Sequence, residues 1–135
     1  MSKMLEGRSE NELSHLIIGA AIEAHKEFGG PGLLEDMYEE ALCYELELRG
    51  VPAARQIEVP VIYEGRQLAK LYKLDVLVDR KVIVEVKATE QHHPVFCAQC
   101  RTHLILTGKR LGLVINFGER YLKDGIPRVV NGLPE

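Results

Sequence analysis

The chain has 135 residues and a mass of 15.2 kDa, enough for one domain and too little for two full ones. Hydrophobic residues make up 46% and charged residues 27%, so a core can form and a disordered polymer is excluded. The formal charge of −3 is unevenly spread: residues 1–67 hold 6 Lys/Arg against 13 Asp/Glu, residues 68–135 hold 11 against 7. A polyanionic partner would meet the second half, whereas the acidic half reads equally as solvated helix faces. No apolar run nears the ~20 residues of a membrane span, and the opening residues 1–6 lack a signal-peptide layout. Three cysteines are too few for a staple framework, so the expected setting is reducing and cytoplasmic, with no membrane partner.

Ser9 followed by Glu12 has capping-box spacing, and Leu13, Leu16, Ile17, Ala20, Ala21, Ala24 and Phe28 behind it make a helical stripe. Gly29-Gly30-Pro31-Gly32 stops that helix. A second helix is predicted from about Leu34 to Arg49, with Leu34, Met37, Tyr38, Ala41, Leu42, Cys43 and Leu46 inward and Gly50 as its cap. The period then becomes alternating. Ile57, Val59, Val61 and Tyr63 predict a half-buried strand, placed at a sheet edge by Pro60, and Glu64-Gly65 a turn.

Leu68 to Val78 and Lys81 to Ala88 read as two strands about a turn at 79–81. Pro94 opens a helix to about Leu106, closed by Thr107-Gly108. Leu111 to Phe117 is an almost unbroken apolar run, as in a covered central strand. Lys123 to Ile126 predicts a turn before a short strand at Arg128-Val129-Val130. Two helices, three strands, a helix and a strand make a mixed α/β domain. It spans 1–135, helical over 9–50, with a sheet and helix over 55–131.

Three charged residues interrupt the aliphatic strands: Asp75, then Glu85 and Lys87. A lone carboxylate buried among aliphatics costs several kcal/mol unless it is paired or binds a metal. Glu85 and Lys87, two apart on a strand, share a face. A three-residue loop at 79–81 pairs Val78 with Val82 and sets Asp75 opposite Glu85; a two-residue loop would turn Asp75 away. Two carboxylates and a strand carbonyl, that of Val86, are hard oxygen ligands suited to Mg²⁺ or Mn²⁺, with Lys87 as a cation beside them. The same residues could instead form a salt-bridged sheet surface.

Gly32-Leu33-Leu34-Glu35-Asp36-Met37-Tyr38, preceded by Ala21 to His25 and followed far downstream by Asn116-Phe117-Gly118, resembles the GxxExxY proteins over roughly Leu16 to Val130. That family is placed in the PD-(D/E)XK nuclease superfamily. The resemblance implies a restriction-endonuclease-like core, a mixed sheet flanked by helices. It also implies that Asp75, Glu85 and Lys87 are the catalytic motif, that Glu35 completes the metal site, and that Gln99 is the residue contributed by the next helix. Where a Tyr often follows four residues after that Gln, this chain has His103.

Cys97-Ala98-Gln99-Cys100 is a lone CxxC inside a predicted helix, where cysteines pack as small apolar residues more often than they bind zinc. His25 fits a bonded structural histidine, Tyr38 a core aromatic, and His92-His93 a polar loop. The function expected from the whole is Mg²⁺-dependent hydrolysis of phosphodiesters, in DNA ahead of RNA. Any sequence specificity would come from a homodimer mate or a separate recognition partner. The competing expectation is a non-catalytic binding or assembly protein that keeps the fold.

Overall fold

A computed structural model describes residues 7–122 and 126–134. Residues 1–6, read as lacking a signal-peptide layout, and residues 123–125 of the turn expected from Lys123 to Ile126 lie outside the described residues.

Helix α1 spans Glu10–Glu27 and starts as its sequence dictates: the Ser9 hydroxyl accepts from the Glu12 N–H while the Glu12 carboxylate accepts from the Ser9 N–H. Helix α2 spans Glu35–Leu48. Its buried residues are Tyr38, Glu39, Leu42 and Leu46, one narrow stripe repeating every three to four residues. Leu34 and Met37, expected inward, are 73% and 49% exposed, since Leu34 precedes the helix as its N-cap and Met37 lies off that stripe. Tyr38 is fully buried as expected. Its hydroxyl donates to the Gly30 carbonyl at 2.7 Å and accepts from the Leu33 N–H at 3.3 Å, and its ring stacks on Phe117 at 4.6 Å.

The main sheet holds β1 (Ala53–Val59), β4 (Tyr72–Val78), β5 (Val82–Lys87), β6 (Leu111–Asn116) and β7 (Arg128–Val130), in the order β1-β4-β5-β6-β7. Among the described residues only β5 and β6 pair in parallel, and the intervening α3 (Pro94–Thr107) supplies the crossover that parallel strands require. β6 is buried along its whole length, as its unbroken apolar run predicts. β1 is an edge strand, but it lies earlier in the chain than expected. Pro60 cannot donate to a ladder and ends it, and Ile62–Tyr63 (β2) pair with Arg66–Gln67 (β3) in a separate hairpin. The next strand accordingly begins at Tyr72 rather than Leu68.

Helices α1 and α2 cover one face of the sheet, joining Leu13, Ile17, Tyr38, Leu42 and Leu46 to Val76, Val84, Val86, Leu113 and Ile115. A smaller core holds Leu104 of α3 with Ile83 and Leu74 on the other side. Burying these aliphatics contributes roughly 1.5–3 kcal/mol per side chain and is the main force holding the layers together.

The exit from β5 is clamped to the exit from β6. The Asn116 carboxamide accepts from the N–H groups of Thr89 (2.9 Å) and Gly118 (3.0 Å) and donates to the Thr89 hydroxyl (3.1 Å), while the Phe117 N–H meets the Lys87 carbonyl at 2.8 Å. A Cβ at Gly118 would collide with the Thr89 main chain, 2.6 Å from its carbonyl carbon, whereas one at exposed Gly19 in α1 meets nothing within 4 Å. Gly118→Ala should therefore destabilise by about 1–3 kcal/mol and Gly19→Ala should stabilise by up to about 1 kcal/mol, read from urea unfolding of each variant.

Candidate active site

The turn after β4 has the three-residue form. Asp79 and Arg80 take positive φ of 48° and 59°, the Lys81 N–H reaches the Val78 carbonyl at 2.9 Å, and Val78 pairs with Val82. The ladder runs to Val76 with Val84 and stops there, one step short of the expected Asp75–Glu85 pair. The alternation of β4 slips in passing this point: Leu74 and Val76, two apart, pack into different cores. Gln56, opposite Asp75 on β1, has φ of +52°, uncommon outside glycine. Both strands are thus bent at the level of the carboxylates.

Asp75 uses the bend to reach β5. Its Oδ2 accepts from the Val86 N–H at 2.9 Å, taking the place of a ladder carbonyl. Because the Lys87 carbonyl points to β6, alternation turns the Val86 carbonyl, with its N–H, to the Asp75 side. Burial pushes the Asp75 carboxyl up to about 6; the Val86 N–H opposes this, the charges of Glu85 and Glu39 add to it, and Lys87 opposes it.

Glu85 is 4% exposed and is held by a residue that the sequence reading left without a role. The His103 ring, 8% exposed, bonds the Glu85 carboxylate through Nδ1, and the Tyr72 hydroxyl bonds the same ring. Burial raises the Tyr72 phenol well above its ordinary range, and the charges of Glu85 and Asp75 raise it further. Lys87 extends its Nζ over the Phe96 ring, 4.9 Å from the centroid, and donates to the Gln99 side-chain oxygen at 3.4 Å. Glu85 with His103 and Lys87 with Gln99 therefore link β5 to α3 where the strand hands over to the helix, and Asp75 joins them through the Val86 N–H.

Glu35 lies exposed on the first turn of α2. One turn later Glu39 is 3% exposed, accepts from Arg55 Nε at 3.0 Å and from Gln56 Nε2 at 2.9 Å, and acts on Asp75 through its charge. Its phase with Leu42 and Leu46 is the sequence signal that marks it as inward-facing. The cysteines and His25 behave as structural residues. Cys100 is buried against Gly112, its thiol pushed up to about 12 by burial, and the His25 Nε2 lies 2.9 Å from the Glu119 carbonyl oxygen.

A profile of the PD-(D/E)XK nuclease superfamily matches residues 11–129. The chain belongs to that superfamily. The PD-(D/E)XK fold agrees with the mixed five-stranded sheet and its flanking helices. Comparison with curated proteins and with solved structures returns no match for either. Nucleases of the PD-(D/E)XK superfamily are generally dependent on a divalent metal. Among the described residues no three His, Cys, Asp or Glu side chains converge as a ligand cluster, so a cation here would rest on two carboxylates and a main-chain oxygen. That all-oxygen donor set fits a hard divalent ion.

The raised Asp75 carboxyl has a signed consequence for the metal-free protein. The folded state holds this proton to higher pH than the unfolded chain, whose aspartates titrate near 3.9, so this group's contribution to stability is fully present below about pH 4 and is lost as pH rises through about 6. Asp75→Asn keeps an oxygen for the Val86 N–H and removes the charge. In chelator it should melt higher than the parent at pH 8, by about 1 kcal/mol after discounting for the group's partial exposure, and the gap should close at pH 4.

Proposed function

We propose that this domain is a Mg²⁺- or Mn²⁺-dependent nuclease of the GxxExxY group that hydrolyses phosphodiester bonds in DNA. What supports the proposal is that Asp75 on β4 accepts from the Val86 N–H of β5, between Glu85 and Lys87, and feels the charges of both, inside a chain of this superfamily. Asp75, Glu85 and the Val86 carbonyl would hold the cation. When bound, it supplies Lewis-acid stabilisation of phosphoryl charge and a more acidic water.

The protein's own groups do the rest. Lys87, propped on Phe96 and tethered by Gln99, presents a fixed positive charge where charge develops on the scissile phosphate, and its ammonium can orient the attacking water. His103 and Tyr72 fix the Glu85 carboxylate in one orientation, so that no reorganisation is needed when charge appears. Glu39 sits behind Asp75 with its charge answered by Arg55. This makes it a supporting acid, and the ligand role expected for Glu35 is left as a contribution from the rim.

A plasmid-nicking assay in Mn²⁺ tests the reading. Lys87→Ala should slow nicking by about 10²–10³ while keeping the rise in melting temperature that Mn²⁺ gives the parent. A parent that neither nicks DNA nor responds to Mn²⁺ would identify the domain as a non-catalytic scaffold.

A further inference from the structure

The two cores leave residues 60–71 unexplained. Here β2 and β3 form a two-stranded sheet of their own, with Ile62 opposite Gln67 and Tyr63 opposite Arg66. Glu64 and Gly65 both take positive φ, 49° and 79°, the geometry of a tight two-residue hairpin turn. Every residue from 62 to 71 is exposed, among them Ile62 at 55%, Tyr63 at 63%, Leu68 at 42% and Leu71 at 41%. A lone two-stranded hairpin gains little from its own pairing, and apolar side chains held out in water mark a contact surface.

The position and charge of the hairpin select the partner. It grows from the end of the β1–β4 ribbon, where Val59 pairs with Tyr72, three residues before Asp75. That is the end of the sheet at which Lys87 and Gln99 lie. Arg66, Lys70 and Lys73 are exposed along it, against Glu64 at its tip. Cations beside an exposed aromatic suit a strand whose phosphates meet the charges and whose bases stack on the ring.

We propose that residues 60–73 form an arm that holds a nucleic-acid strand as it enters the site, with Arg66 and Lys70 on its phosphates and Tyr63 stacked on a base. The identity of the partner rests on the nuclease reading above; the existence of the surface does not. Arm variants touch no core residue and should fold as the parent does.

The test is binding of a fluorescent single-stranded DNA oligonucleotide in chelator, across a salt series, by parent, by Arg66→Ala/Lys70→Ala and by Tyr63→Ala. The double variant should bind roughly tenfold more weakly at low salt, and its dependence of log Kd on log salt should be shallower by about 1.5. Tyr63→Ala should lose about tenfold with the parent's salt dependence retained. All three should share one melting response to Mn²⁺. Unchanged affinity and salt dependence in the variants would overturn the arm, as would a parent that binds no DNA. A change in oligomeric state on light scattering would also overturn it, by showing the surface to be a protein contact. Binding that passes these tests in a parent unable to nick plasmid in Mn²⁺ would remove the nuclease reading and leave the arm standing.

Discussion

Two carboxylates stand in a part of the sheet that is otherwise Val, Leu and Ile, and the local structure is organised around what that burial costs. An uncompensated buried charge costs several kcal/mol, comparable with the stability of a domain this size. The protein meets the cost by distributing partners. Asp75 takes the Val86 N–H, Glu85 takes the His103 ring backed by Tyr72, and Glu39 takes Arg55 and Gln56. What is left at Asp75 is a carboxyl pushed up to about 6, an acidic position that a divalent cation would relieve.

The fold serves this arrangement. Helices α1 and α2 seal one face of β4 and β5 with apolar contact, so the backbone at Asp75 and Glu85 does not depend on the charges for its position. The Asn116 clamp ties the exit of β5 to that of β6 and fixes the segment from which Lys87 projects. Because β5, α3 and β6 form a parallel crossover, the helix that supplies Gln99 and His103 must start at the C-terminal end of β5, beside Glu85 and Lys87.

Local rules made much of this legible in the sequence. Ser9 and Glu12 set the start of α1, the length of the 79–81 loop set the register that pairs Val78 with Val82, and the run from Leu111 to Phe117 set the central strand. What escaped depends on contacts distant along the chain or on unsignalled backbone. Nothing in the residue Gln56 announces a positive φ, and the slip at Leu74 follows from packing against Leu104 some thirty residues away. The sequence assigned Glu39 and His103 no role, because a charged or polar residue in a helical stripe reads as an interruption until its partner is known. The burial of each is made possible by Arg55 and Glu85, respectively. On α2 the wide apolar stripe predicted inward is in fact a narrow one, which leaves Leu34 and Met37 in solvent.

The central claim is that the Asp75 and Glu85 carboxylates and the Val86 carbonyl together make a cation site. The most direct measurement is a crystal soaked in Mn²⁺ with data collected for anomalous scattering. The account predicts a single strong peak between the two carboxylates, about 2.0–2.6 Å from oxygens of both and of Val86. A map with no peak there, in crystals whose Asp75 and Glu85 side chains are well ordered, would contradict it.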